Sequence, residues 1–242
     1  MIHTVLVFTF GLFVFGGVGM YAANRRVDAA VRRRRWIKFV VYIGIVYAVI
    51  FSALAGLFSW LAALVAGIGL VEVVGISLRP GSRPVKRGRI VPAVLVYLMP
   101  AYGLLAFARS SSPDTIVFVY LIVAVFDGFS QVIGQLWGTR RLAPIISPGK
   151  TLEGSAGGLI AAVSVAWLLR ALPGFSAYQA VFVGSLLSVA GLGGDLLASW
   201  YKRLNNVKDF GRILPGHGGA LDRFDSLLAA STALWLYQLL SA

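Results

Sequence analysis

The chain has 242 residues, 58% hydrophobic and 13% charged, with a formal net charge of +13 and no cysteine. A mean hydropathy of +0.83 excludes an ordinary soluble domain. The lack of cysteine excludes disulfides, thiolate metal sites and catalytic thiols.

The apolar stretches predict eight spanning helices, near residues 2–22, 37–57, 59–78, 91–109, 115–137, 152–170, 178–198 and 224–241. The first opens MIHTVLVFTF, without a basic leader, and reads as an uncleaved spanning helix. Arg25, Arg26, Arg32, Arg33, Arg34 and Arg35 fill the first connection, with Lys38 just beyond. Arg79, Arg83, Lys86, Arg87 and Arg89 fill the third. The connections at 138–151 and 199–223 carry Arg140, Arg141, Lys150, Lys202, Arg203, Lys208, Arg212 and Arg223. Alternate connections are nearly free of cations, apart from Arg109 and Arg170 at helix ends. Basic connections stay in the cytoplasm. An even number of spans separates them, so all four fall on one side and both termini on the other. In a soluble protein this charge would point to nucleic acid. Beside apolar segments it is better explained by orientation and anionic lipid headgroups, so membrane lipids are expected partners and nucleic acid is not. The expected fold is one all-α polytopic membrane domain over 1–242, with a polar cavity on the cytoplasmic side.

Acidic residues contribute little to orientation and are therefore more informative. Asp28, Asp114 and Asp209 lie in or beside connections, where they can simply be solvated. Glu72, Asp127, Glu153, Asp195, Asp222 and Asp225 lie within apolar segments or at their cytoplasmic ends. A carboxylate there costs roughly 2.5–3.5 kcal/mol on insertion scales, so it seeks a partner or a wet cavity. All six map to the cytoplasmic half and can line one cavity. Asp195, Ser199 and Lys202 share a face if their helix continues through them, and Asp222 and Asp225 share another. Carboxylates from two helices make an oxygen-rich site suited to Mg²⁺. The plainer alternative is that these acids form ion pairs with Lys202, Arg203 or Arg223.

Two further segments have the composition of phosphate-binding turns. Pro215-Gly216-His217-Gly218-Gly219 lets backbone N–H groups approach a ligand closely, just before a helix start. An ordinary re-entrant loop explains it equally well. Ser147-Pro148-Gly149-Lys150-Thr151-Leu152-Glu153-Gly154 enters another helix. It reads either as a capped start, with Ser147 or Thr151 as cap, or as a second phosphate turn with Lys150 as its charge.

Taken together these segments resemble the phosphatidate cytidylyltransferases, the CDP-diacylglycerol synthases. The resemblance rests on Gly193-Gly194-Asp195, Ser199-Trp200-Tyr201-Lys202-Arg203, Lys208-Asp209, Pro215-Gly216-His217-Gly218-Gly219 and Asp222-Arg223-Phe224-Asp225. The 147–154 segment and Asp127 in the preceding helix extend it. It covers about 115–242, the catalytic helices, and leaves 1–114 as N-terminal helices. Tyr201, Ala220, Gly149 and Gly128 depart from the residues usual in that family.

The resemblance implies that CTP and phosphatidate react to give CDP-diacylglycerol and diphosphate. It implies a metal site of Asp195, Asp222 and Asp225, with Asp127, for Mg²⁺ and a possible second cation. Lys202, Asp222 and Asp195 are then the catalytic residues. Ser199, Arg203, Lys208, Arg223 and Lys150 contact substrate phosphates, and His217, Gly218 and Gly219 shape the nucleotide turn. A homodimer, and a bacterial inner membrane with the site facing the cytoplasm, complete the expectation. The alternatives are another CTP-dependent lipid enzyme, such as a CDP-archaeol-type synthase or a polyprenol kinase, or a lipid or ion transporter.

Overall fold

A computed structural model describes residues 2–25, 27–78, 90–211, 213 and 218–241. Eight helices lie among them: α1 (Ile2–Ala23), α2 (Ala29–Leu54), α3 (Phe58–Ser77), α4 (Ile90–Ser110), α5 (Pro113–Trp137), α6 (Leu152–Leu168), α7 (Ala177–Leu204) and α8 (Leu221–Ser241). Five of these, α2, α3, α4, α5 and α7, are long and apolar enough to cross a membrane. Such helices make this an integral membrane protein.

Helix starts follow their capping residues. Ser112 accepts from the Thr115 N–H at 3.2 Å, with Pro113 in the first helical position of α5. Ser176 and Gln179 form a reciprocal capping box at α7. Thr151 caps α6, accepting from the Gly154 N–H at 3.1 Å.

The centre of the bundle is α5. Every residue from Thr115 to Val123 is buried, as are Val125 and Phe126. A helix apolar all round suits a core position, and α5 packs against α2, α6, α7 and α8. Around it Phe107, Phe118, Leu187, Leu228 and Leu234 are fully buried. Between helices in lipid such burial contributes close packing more than transfer from water. Asp127 sits one residue beyond Phe126, where this dry core ends.

Two expectations need correction. The fold is not purely helical: β1 (Arg141–Ala143) and β2 (Ser147–Thr151) form an antiparallel hairpin between α5 and α6, pairing Arg141 with Thr151 and Ala143 with Ser147. Nor do Arg32, Arg33, Arg34 and Arg35 lie in a connection, because α2 starts at Ala29, and Lys202 and Arg203 likewise belong to α7 and Arg223 to α8. Arginine is a good helix former, so the helix continues past the end of its apolar stretch. The basic residues between 79 and 89, with Arg26, Arg212 and His217, lie outside the described residues.

Candidate active site

Because α7 runs unbroken to Leu204, Asp195, Ser199 and Lys202 share one face. Ser199 Oγ donates to Asp195 Oδ1 at 3.2 Å. The other carboxylate oxygen, Oδ2, faces Lys150 Nζ at 2.7 Å. Lys150 arrives from β2, so the hairpin delivers a cation to a helix face that the sequence leaves unpaired. Both side chains are partly open, at 20% for Lys150 and 25% for Asp195. Burial works against the Lys150 ammonium, but Asp195 and the acids behind it outweigh this and hold it above the ordinary lysine range.

Two turns along α7 a second ion pair forms. Lys202 Nζ donates to Asp222 Oδ1 at 2.6 Å, with side-chain exposures of 10% and 3%. The Lys202 ammonium also stands 5.1 Å from the centroid of the Phe210 ring. Asp222 Oδ2 accepts from the N–H groups of Phe210 and Gly219, each at 2.8 Å. One carboxylate thus ties together the end of α7, the connection after it and the start of α8. Gly218, at φ +88°, supplies the left-handed turn that brings the chain to that carboxylate.

Asp225 lies one turn into α8, and its Oδ1 accepts from the Ser226 N–H at 2.8 Å. Asp195, Lys202 and Asp127 are within its electrostatic reach. Asp127 feels Lys150, Asp195 and Arg223. Asp127, Asp195 and Asp225 therefore share one neighbourhood, drawn from α5, α7 and α8. Asp127 and Asp195 lie in the C-terminal halves of α5 and α7, and Asp222 and Asp225 in the first turns of α8, so the group lies toward the end of the bundle where α5 and α7 close and α8 opens. Carboxylate oxygens are the donors that Mg²⁺ prefers, although as the described side chains stand no three His, Asp or Glu groups enclose an ion position.

The remaining predicted residues divide. Arg203 donates from Nε to the Ile146 carbonyl and from Nη1 to the Val207 carbonyl, both at 3.2 Å, and so ties the hairpin tip to the connection after α7. Lys208, in the connection after α7, and Arg223, next to Asp222 in α8, are both exposed. Gly219 is buried and supplies one N–H to Asp222, as above. His217 lies outside the described residues.

Glu153 does not join the other acids. Its carboxylate accepts from the Thr139 hydroxyl at 2.7 Å and from the N–H groups of Thr139 and Arg140 at 3.1 and 3.2 Å. It clasps the base of the hairpin, whose last strand carries Lys150. The sequence also gave no signal for Phe210, whose ring packs on Tyr201 and faces Lys202.

A family model described as "Cytidylyltransferase family" matches residues 1–240. Several similar curated proteins are named phosphatidate cytidylyltransferase. One from Staphylococcus saprophyticus is 40% identical over 136 residues, covering 55% of this chain and 52% of that protein. One from Staphylococcus haemolyticus is 43% identical over 122 residues, covering 50% and 47%. One from Brucella abortus is 36% identical over 203 residues, covering 77% and 74%. The chain thus spans about half the length of the staphylococcal relatives and about three quarters of the Brucella one.

Proposed function

From the chain's membership of the cytidylyltransferase family, we propose that it is a CTP:phosphatidate cytidylyltransferase, forming CDP-diacylglycerol and diphosphate for phospholipid synthesis. The observation that carries this reading is the pair of lysine–carboxylate contacts, Lys150–Asp195 and Lys202–Asp222, at one end of an apolar bundle. A lipid-anchored phosphate and a soluble triphosphate can meet there.

A phosphatidate oxygen attacks the α-phosphorus of CTP. The bond from that phosphorus to the bridging oxygen breaks, and diphosphate leaves with the electron pair. A phosphate oxygen is already anionic at neutral pH, so no strong base is needed. The obstacle is repulsion between two polyanions, and the protein's contribution is positioning and charge neutralisation. Lys202, held by Asp222, is the cation assigned to the charge that builds on the departing diphosphate. Lys150, paired with Asp195, and Arg223, which Asp127 feels, are the cations assigned to the second phosphate group. Ser199 keeps Asp195 oriented.

Asp127, Asp195 and Asp225 have the donor chemistry to hold Mg²⁺, and a second cation if one is used, with Asp222 at the edge of the group. Bound there, such an ion would neutralise phosphate charge and act as a Lewis acid. The working topology has eight spans in a bacterial inner membrane, with the site facing the cytoplasm. Its support is that the hairpin and the connection after α7, both basic, adjoin the site.

The test uses purified protein in detergent with phosphatidate and CTP labelled on the α-phosphorus. Label should enter the lipid fraction as diphosphate appears in equal amount. Transfer of label to lipid in a parallel reaction with CTP labelled on the γ-phosphorus, or no lipid product, refutes the proposal.

A further inference from the structure

Glu72 lies near the C-terminal end of α3, in the half of the chain that carries none of the phosphate-binding motifs, and is 7% exposed. Its Oε1 accepts from the Ala220 N–H at 3.0 Å and its Oε2 from the Leu221 N–H at 2.8 Å, across 148 and 149 residues. These amides open α8. The Ala220 carbonyl accepts the first bonds of that helix, from Arg223 and Phe224, so Ala220 holds the cap position without a side-chain oxygen to cap with. The cap comes from α3 instead. A carboxylate there also meets the positive end of the α8 dipole.

Two glycines fit this arrangement. A Cβ at Gly219 would run into Glu72 Oε1 and lie 2.6 Å from its Cδ, and a Cβ at Gly211 would lie 2.6 Å from Oε1. The backbone before α8 therefore folds closely around the carboxylate. One residue past Leu221 stands Asp222, which binds Lys202, and Arg223 and Asp225 follow within the same turn. A buried carboxylate in an apolar helix is costly to insert, and this one is spent on the helix start that presents three site residues.

We infer that Glu72 is a positioning residue for the transfer: it caps α8 from another helix and thereby sets Asp222, Arg223 and Asp225 against Lys202 and Asp195. This rests on the reading under Proposed function. Through these two hydrogen bonds Glu72 acts on the helix start.

The experiment compares Glu72→Gln with Val65→Ala, a buried change on the same helix away from the connection, by steady-state kinetics and hydrogen exchange. In Glu72→Gln an amide NH₂ faces a backbone N–H, so one donor loses its acceptor. Exchange over 218–222 should quicken about tenfold, the scale of one lost hydrogen bond. A misplacement on the order of 1 Å costs roughly 10²-fold, so kcat should fall by about that much while KM for CTP stays within about threefold. Val65→Ala should lower the melting temperature yet leave both readouts unchanged.

Gly219→Ala attacks the same contact from the other side and serves if Glu72→Gln does not fold. It should lose kcat alone, but add no further loss in a Glu72→Ala background, where the new methyl has room. Unchanged exchange with kcat within about twofold in Glu72→Gln, or additive losses in the double variant, would overturn the inference. If the unmodified protein makes no CDP-lipid, the reading under Proposed function fails, and exchange alone still decides whether Glu72 fixes the start of α8.

Discussion

Replacing Lys202 with methionine separates its structural work from its chemical work. The substitution keeps the aliphatic stem and removes the ammonium that stands 2.6 Å from Asp222 Oδ1 and 5.1 Å from the centroid of the Phe210 ring. Asp222 is 3% exposed at its side chain, so water cannot replace the lost charge. Breaking a buried pair by removing one partner costs about 3–5 kcal/mol, mostly through the charge left behind. In Lys202→Met/Asp222→Asn that stranded charge is gone, and the remaining amide oxygen can still accept from the N–H groups of Phe210 and Gly219. The double variant should therefore recover most of the thermal stability lost by Lys202→Met. Activity should not recover, because removing one preorganised donor to the transition state costs roughly 10²–10³ in kcat. Melting temperatures in detergent and initial rates with α-labelled CTP, on matched protein, supply both numbers. A double variant that regains stability and turnover together would show that Lys202 serves only to hold Asp222.

The arginines on α2 provide the contrast. Arg33→Gln should stay within about twofold of the parent rate, since many other cations keep the orientation, and the same initial-rate assay checks it. For topology, cysteines at Ile145, 89% exposed in the hairpin, and at Tyr178, 89% exposed at the start of α7, should react with an impermeant thiol reagent from opposite faces of sealed vesicles. The native chain has no cysteine to interfere. Labelling of both from one face would refute the eight-span arrangement.

How far the sequence could be read depends on how local each feature is. Helix existence was legible because unbroken apolar stretches mark spans. The start of α2 was not, since charge ends an apolar stretch without ending a helix. The face shared by Asp195, Ser199 and Lys202 followed from helical spacing alone. Contacts between elements were not readable in this way. The Lys150–Asp195 pair needs a hairpin whose Pro148 and Gly149 argue against a strand, and the partners of Glu72 lie nearly 150 residues away. Burial was hidden for a different reason. In lipid a side chain is apolar whether it faces the core or the bilayer, so Trp60 at 75% exposure and Phe107 at 0% look alike in sequence.

The site's cations and carboxylates should also part company under mutation. Each lysine that neutralises a carboxylate makes it less costly to gather four acids at one end of an apolar bundle. The same groups suit incoming ligands of opposite sign, with ammonium groups matching phosphate and carboxylates matching Mg²⁺. Asp195 and Lys150 touch at 2.7 Å, yet on this reasoning they serve different ligands. Asp195→Asn should raise the Mg²⁺ concentration needed for half-maximal rate by about tenfold or more, as expected when a hard anionic donor is lost. It should leave KM for CTP nearly unchanged at saturating Mg²⁺. Lys150→Gln should do the reverse, raising KM for a phosphate-bearing substrate while the Mg²⁺ requirement holds. A full Mg²⁺ titration at several CTP concentrations, corrected for the metal that CTP binds in solution, resolves the two effects. If both variants shift the same parameter to the same extent, the pair acts as a single structural contact and the division of roles is wrong. If Asp195→Asn keeps the parent's Mg²⁺ dependence, this carboxylate is not a metal ligand, and the donor set contracts to Asp127, Asp225 and Asp222.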